Sequence, residues 1–444
     1  MPVDISIIMP SLNVAKYINQ CLESVVSQTK KEIEIICIDA GSTDGTLQII
    51  EDFAKRDNRI RIINSPIKSY GYQMNLGIDA SCGEYIGIVE TDDFIELDMF
   101  DKMYEQIKDN NVDFVKGAYI GFIGNEDTIE RKFSESICKD MLGHVLDLKN
   151  NRKLGILSPV HIWSGIYRKQ FLIDNDIRFN ETHGASFQDT SFSILVGMVA
   201  DSCIYIDDAF YHYRMDNANS SVKSASKIRC VVDEYEYLIQ KLKELNKYSD
   251  DVREIIERQK LLTYEWNYER LNADGRHEFI DIIKNEMNSY TDSMMSWEMT
   301  QNEKQIVEKL TDYSLIKKNL SVEQEFNNKL KKFIGECKNG IGFNVVGAGK
   351  LFDKLINIKK AIKCDFIKSL SDNSTDLHGK YIHGYLVKPV EYIAERNKYD
   401  QWIITNRYHS KEIFDQLIQL GIPKENIIVF EKMIDIDLIW EFCL

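Results

Sequence analysis

The sequence is poor in the features that staple a chain, carry it through a bilayer or give it a positive surface. Its 444 residues include only 6 prolines. None falls between Ser226 and Lys332, a stretch with one glycine that is rich in Glu, Lys, Leu, Ile and Tyr, and this composition predicts helix. The nine cysteines are scattered from Cys21 to Cys443 with no Cys-x-x-Cys pair. An odd, scattered set fits neither a disulfide framework nor a zinc site, so reduced and mostly buried thiols are expected. Apolar runs are short: Ile194-Leu195-Val196-Gly197-Met198-Val199-Ala200 falls far below the roughly 20 residues that a membrane-spanning helix needs. Met1-Pro2-Val3-Asp4 leads directly into an apolar strand with no basic segment or cleavage site, so no signal peptide is expected. The expected location is the cytoplasm, or the inner face of the membrane as a peripheral protein. Lys and Arg total 55 against 70 Asp and Glu, for a formal net charge of −15. That balance excludes general nucleic-acid binding, which needs a concentrated basic surface.

What is present is a length that calls for two or three domains and a repeating α/β rhythm. Ile5–Met9, Glu34–Ile38, Arg61–Asn64, Tyr85–Val89 and Phe114–Lys116 read as strands. Between them Ile18, Leu22, Val25 and Val26 share one helical face, and Leu47, Ile50 and Ala54 share another. Repeated βαβ units of this kind predict a doubly wound parallel sheet. The expected organisation is an α/β domain over 1–225, a helical middle segment over 226–338 and a small C-terminal α/β domain of Rossmann-like type over 339–444.

In such a sheet, ligands lie beyond the carboxyl ends of the strands, where loops converge with helix N-termini. The residues after each strand are therefore the informative ones. Pro10-Ser11-Leu12-Asn13 follows the first strand and Asp39-Ala40-Gly41-Ser42-Thr43-Asp44-Gly45-Thr46 the second. A carboxylate at Asp39 suits the imide N–H of uracil; the competing reading is that Asp39 and Asp44 only cap turns. Glu90-Thr91-Asp92-Asp93-Phe94 follows the fourth strand. Paired carboxylates there suit a hard divalent cation bridging diphosphate oxygens, and helix capping is again the alternative.

The order of these motifs, with Asn75-Leu76-Gly77-Ile78 and Gly83-Glu84-Tyr85-Ile86, resembles the family-2 glycosyltransferases of GT-A fold over roughly the first half of the chain. The resemblance implies that Pro10, Ser11, Asn13 and Asp39 hold the nucleoside of a nucleotide-sugar donor, with Gln73 and Asn75 on the donor side. It places Asp92 near ribose and diphosphate, and makes Asp93 the ligand of Mn²⁺ or Mg²⁺. Three positions depart from the family pattern: Ala40 and Glu90 stand where the family has acidic residue and Asp respectively, and Met74 stands where many members carry Arg. Gln73 or Lys68 is then left to meet the diphosphate charge.

Gln188-Asp189-Thr190 resembles the family's Glu-Asp signature, which makes Asp189 the expected general base; a carboxylate bound to a turn is the alternative. Phe210-Tyr211-His212-Tyr213-Arg214, with Asn217, Ser220 and Ser221, resembles the family's Tyr-Arg segment. Arg214 is expected to neutralise the leaving group, and His212 is a secondary candidate for the metal or a phosphate. Trp163 and Lys169, in Trp163-Ser164-Gly165-Ile166-Tyr167-Arg168-Lys169, are the candidates for the acceptor side; for Trp163 a place in the core is the equal alternative. The implied activity is inverting transfer, with no covalent intermediate, from a nucleotide-diphosphate sugar, UDP-linked, to a hydroxyl acceptor in capsule, teichoic-acid or other surface-polysaccharide synthesis. A glycan, polyol phosphate or lipid-linked sugar would accept.

In the last third, Gly347-Ala348-Gly349 follows a strand, but Phe352 occupies the position of the third glycine in a dinucleotide fingerprint. A structural, substrate-presenting or homo-oligomerising role is expected there, with Asp372 as a ribose ligand the sharper alternative. Three rivals stay open: a nucleotidyltransferase, an NAD-dependent oxidoreductase resting on the C-terminal domain, and a noncatalytic nucleotide-sugar-binding scaffold.

Overall fold

A computed structural model describes residues 2–124, 126–133, 138–157, 161–217, 227–291, 299–311, 333, 335–349, 351–353, 355–356, 359, 364–406 and 409–429. Ser220 and Ser221 lie outside the described residues. The chain divides into two compact units, Met1–Tyr313 and Ser314–Leu444. The helices after residue 226 therefore fall mainly within the first unit, where the sequence suggested a separate middle segment.

The first unit is built on one mixed sheet of strands β1 (Ile5–Ser11), β2 (Ile33–Asp39), β3 (Ile60–Asn64), β4 (Tyr85–Ile88), β5 (Phe94–Ile95), β6 (Phe114–Ile123), β7 (Glu126–Arg131), β8 (Leu146–Asp147), β9 (Gly165–Arg168) and β10 (Ser202–Arg214). Their order is β3-β2-β1-β4-β9-β6-β10-β5, with β7 beside β6 and β8 beside β10. Every residue of β1 and β2 is buried, as expected of apolar β-branched runs covered on both faces. β1 to β4 are mutually parallel, β9 runs antiparallel between β4 and β6, and β10 is parallel to β6. Two reversals cancel, so β10 ends at the same edge as β1, β2 and β4.

Helices α1 (Ile18–Val26), α2 (Thr46–Ala54), α3 (Tyr70–Ala80), α4 (Met99–Asn110), α5 (Lys169–Asp174) and α6 (Gln188–Val199) accompany the sheet, followed by α7 (Cys230–Glu244), α8 (Asp250–Arg270), α9 (Ala273–Thr291) and α10 (Gln301–Thr311). In α1 the spacing of Ile18, Cys21, Leu22 and Val25 buries one stripe. The α3 N-cap is Ser69, whose hydroxyl accepts from Tyr72 N. Gly71, in the first turn of α3, lies so close to the chain at Asn180 that an added Cβ would stand 1.9 Å from the Asn180 carbonyl oxygen. α3 and the segment leading to α6 are thereby held at backbone contact distance.

The second unit has strands β11 (Phe343–Val346), β12 (Ile367–Ser371), β13 (Tyr381–Ile382), β14 (Tyr385–Lys388), β15 (Gln401–Ile404) and β16 (Ile427–Val429), with helices α11 (Val390–Ala394) and α12 (Ser410–Gln419). The order β13-β14-β12-β11-β15-β16, parallel apart from the β13–β14 hairpin, puts the first strand in the middle as in a Rossmann half. Phe343 and Val345 pack into one apolar cluster and Val346, Trp402 and Ile404 into another. Gly347 takes φ +108 after β11, and Asp372 is spent on the turns, accepting from Ala348 N through Oδ2 and from Ser374 N through Oδ1. Asp372 is thus a loop clamp in place of the ribose ligand considered above, and Phe352 is fully buried.

Candidate active site

The first two strand ends are stitched together by backbone and side-chain bonds. Ser11 and Asp39 are register partners across β1 and β2. Asn13, at φ 54, accepts from Thr43 N through Oδ1, and its own N–H donates to Ser42 Oγ. Asp44 binds Ala15 N, Thr46 N and the Thr46 hydroxyl, the turn-capping role weighed for it above. Asp39 Oδ2 accepts from the N–H groups of Gly41 and Ser42 at 2.9 Å each. Its Oδ1 and the Ser11 Oγ are both buried with no protein partner. Each such atom costs about 1–3 kcal/mol while unpaired, so the pair is matched to a ligand edge carrying an N–H donor beside an acceptor.

Two of the expected donor residues act beneath this edge. Gln73 Nε2 donates to the carbonyls of Ser11 and Ile38, at 3.2 and 2.7 Å, which fixes both strand ends from below. Asn75 exchanges bonds with the Phe179 backbone and donates to Glu181 Oε1. Both side chains are buried, so they position the loops and do not face a donor. Pro10 is buried in β1 with its carbonyl accepting from the Thr91 hydroxyl, so its contribution is to tie β1 to the acidic segment.

The acidic segment after β4 is held by tyrosines. Tyr211 donates to Asp93 Oδ2 at 2.8 Å and accepts from Glu90 N at 3.0 Å, and Tyr70 donates to Glu90 Oε1 at 2.5 Å. Asp93 is 1% exposed, and its Oδ1 accepts from Arg214 N at 2.7 Å. Each Asp93 oxygen thus accepts one bond from inside the protein, which anchors β10 to the acidic segment. Asp92 is half-buried and accepts from Asn217 through Oδ2. Burial, followed by the neighbouring Asp92, raises the Asp93 pKa well above the usual carboxylate range, and burial raises that of Asp92. Glu90 is pushed up to about 8, first by burial, with Asp92 and Asp189 adding to it.

Arg214 and His212 are likewise committed. The Arg214 guanidinium donates to the Asp92 carbonyl and Gln20 Oε1, stands 3.6 Å from Asp216, and lies over the rings of Tyr17 and Phe122. It braces the Asp92 backbone in place of facing a leaving group. His212 Nε2 binds Glu96 at 2.7 Å and its ring stacks on Phe94 at 4.2 Å, so it belongs to the β5–β10 contact and not to a metal site. Trp163 is 6% exposed in a stack with Tyr211 and Tyr213. Lys169 follows β9, where Arg168 pairs with Tyr85 at the start of β4, and its ammonium donates to the Ser81 carbonyl. The antiparallel course of β9 therefore carries Lys169 to the edge opposite the acidic segment, which removes it from the acceptor side.

Asp189 opens α6 and is half-buried. The loop before it is clamped by Gln188, whose Oε1 accepts from Ser186 N and whose Nε2 donates to Thr182 and Gly184. A short bridge, Tyr70 N to Gly184 O and Gly184 N to Lys68 O, ties this loop to the start of α3. Burial pushes the Asp189 pKa up to about 6, with Lys116 and Lys227 opposing. The charge of Asp189 in turn acts on Glu90, Tyr70 and Tyr213, so the base candidate shares one electrostatic environment with the segment after β4. Tyr70 and Tyr211 were missed in the sequence, because nothing in their spacing marks a tyrosine that holds a carboxylate.

Enzymes of this fold commonly use a divalent metal. Among the described residues no three acidic, His or Cys side chains gather into a metal-binding group. The half-buried Asp92 carboxylate at the strand end nevertheless fits such an ion, since Mg²⁺ or Mn²⁺ takes one or two protein carboxylates and completes its shell with water and substrate phosphates.

Residues 6–175 match the family model described as glycosyl transferase family 2. Among its relatives, it is 31% identical over 229 residues to the uncharacterized glycosyltransferase EpsJ of Bacillus subtilis (strain 168), covering 49% of this chain and 62% of that protein. It is 38% identical over 112 residues to glycosyltransferase GlyG of Streptococcus pneumoniae serotype 4, covering 25% of this chain and 37% of that protein. The chain thus spans less than two thirds of the length of either relative. Among solved structures, S. aureus TarS 1–349 in complex with UDP is similar at 20% identity and a TM-score of 0.42, covering 67% of this chain and 95% of that one. Among the described residues no helix is long and apolar enough to cross a membrane.

Proposed function

We propose that this protein transfers a sugar from a UDP-linked donor to a hydroxyl acceptor in surface-polysaccharide synthesis, with inversion at the anomeric carbon. The observation that carries the reading is the Ser11–Asp39 pair, whose buried, unpartnered Oγ and Oδ1 complement the imide N–H and adjacent carbonyl of uracil. The match of residues 6–175 to that family model supports sugar transfer as the chemistry.

Asp189 takes the proton from the acceptor hydroxyl as that oxygen attacks the anomeric carbon and the bond to the diphosphate breaks. With a pKa near 6 it is ionised at neutral pH yet more basic than an ordinary Asp, which suits a general base. Asp92 is the residue that would hold Mn²⁺ or Mg²⁺, and such an ion would supply positive charge to the departing diphosphate. Asn13, exposed on the stitched loop, borders the nucleoside. The second unit takes a structural or self-associating role.

A thermal-shift screen of nucleoside diphosphates and nucleotide sugars, with and without Mn²⁺, tests the reading, because a ligand of the native state stabilises it by mass action. UDP with Mn²⁺ is expected to raise the melting temperature. No shift with any nucleotide would overturn the assignment.

A further inference from the structure

The acceptor side is where the sequence-derived candidates fail, Trp163 being buried and Lys169 lying at the wrong edge of the sheet. The structure offers a different wall beside the base. Trp266, on α8, is 41% exposed, and its ring meets Phe187 edge-on with centroids 5.4 Å apart. Phe187 stands two residues before Asp189 and adopts φ 66, a left-handed conformation that is strained for a bulky residue. Arg270, one turn further along α8, holds its guanidinium 4.8 Å from the Phe187 ring centroid and 5.4 Å from that of Trp266. Lys227 lies 5.8 Å over the same Phe187 ring and donates to the Ala185 carbonyl, in the loop leading to the base. Arg270 donates through Nε to Asn267 Oδ1 at 2.9 Å and through Nη2 to the Lys227 carbonyl at 2.5 Å, so its charge is fixed beside that of Lys227.

We infer that α8 supplies the acceptor platform of this enzyme, with Trp266 taking the face of a sugar ring and Lys227 and Arg270 taking an anionic group attached to that sugar. The inference rests on the donor-site reading above, which places Asp189 as the base. An exposed indole offers the C–H face of a pyranose an apolar surface. Guanidinium and ammonium groups bind phosphate or carboxylate through charge-assisted hydrogen bonds. In a chain of net charge −15, two cations gathered over one aromatic ring beside the base select for an anion. Burial lowers the Arg270 pKa to about 10, which leaves it charged at neutral pH. The strained Phe187 backbone has a role in the same arrangement: its ring is the surface against which Trp266, Arg270 and Lys227 all rest, while the next turn carries Asp189.

The test is ligand binding to the full chain, saturated with UDP and Mn²⁺ so that the donor's phosphate site is filled. Methyl α-glucoside, glucose 1-phosphate and glucuronic acid are titrated by saturation-transfer NMR. Both charged sugars are expected to bind about tenfold more tightly than the neutral one. Glucose 1-phosphate binding at least as tightly as glucuronic acid identifies phosphate as the better anion, and the reverse identifies carboxylate; either order supports the platform. Trp266→Ala should weaken all three sugars, and Lys227→Gln should remove the preference for charge. If Lys227→Gln unfolds the protein, 0.5 M salt serves instead and should weaken only the charged sugars, since the cations are partly exposed. Equal affinity for all three sugars, or unchanged binding in Trp266→Ala, would overturn the inference while leaving the donor site standing. Failure of the wild-type protein to bind UDP at all would instead overturn the donor-site reading, and the platform with it.

Discussion

The Tyr70 hydroxyl donates to Glu90 Oε1 at 2.5 Å, and this one bond joins the first turn of α3 to the residue that leads into the acidic segment after β4. Because Tyr70 N also binds the Gly184 carbonyl, the loop before Asp189 and the end of β4 are referred to a single residue. Tyr70→Phe keeps the ring contact with Phe179 but removes the donor to the half-buried Glu90 carboxyl. The expected loss is about 1–3 kcal/mol in unfolding free energy, measured by denaturant titration. A variant as stable as wild type would show that this bond does not tie the loops.

The Glu90 carboxyl gives a pH signature of its own. Its folded pKa, near 8, lies above the ordinary value of 4.5, so its contribution to stability is complete below about pH 4.5 and is lost as pH rises through 8. Glu90→Gln mimics the protonated form. The variant should melt above wild type at pH 8.5 and close to it at pH 5, whereas parallel melting curves across that range would assign Glu90 an ordinary pKa.

At the nucleoside edge, Asp39→Asn preserves the shape that binds Gly41 N and Ser42 N but turns an amide donor toward the imide N–H. Loss of a hydrogen bond to a charged acceptor is worth about 1.5–3 kcal/mol, so UDP affinity should fall roughly 10- to 100-fold in calorimetry. Undiminished affinity would remove Asp39 from the site.

For the base, Asp189→Asn should retain UDP binding while transfer falls by about 100-fold or more. The wild-type rate of transfer should climb with pH through about 6 as Asp189 ionises, and that limb should vanish in the variant. Full turnover by Asp189→Asn would exclude the role.

The parallel half of the sheet was legible because β1, β2 and β4 are buried apolar runs that end in polar turns, and strand ends locate a site in this kind of sheet. β9 was not. Its four residues carry no βαβ rhythm, and only pairing with β4 and β6 reveals that it runs backwards, which is what moved Lys169 to the far edge. Side-chain commitments were also hidden. Gln73, Asn75, Asp93 and Arg214 have the right chemistry and lie in the right segments, yet each is bound to a backbone group that only the folded chain brings within 2.7–3.0 Å. Trp266 lies almost 80 residues beyond Asp189 in a stretch whose composition spoke only of helix, so its place beside Phe187 had no local signal.

The most direct measurement is a structure of the protein with a UDP-sugar and Mn²⁺ bound. Uracil is expected against Ser11 and Asp39, the cation on Asp92 and the anomeric carbon facing Asp189. A nucleotide bound elsewhere, such as at the turn after β11, or a cation on Asp93 with its bonds to Tyr211 and Arg214 broken, would contradict it.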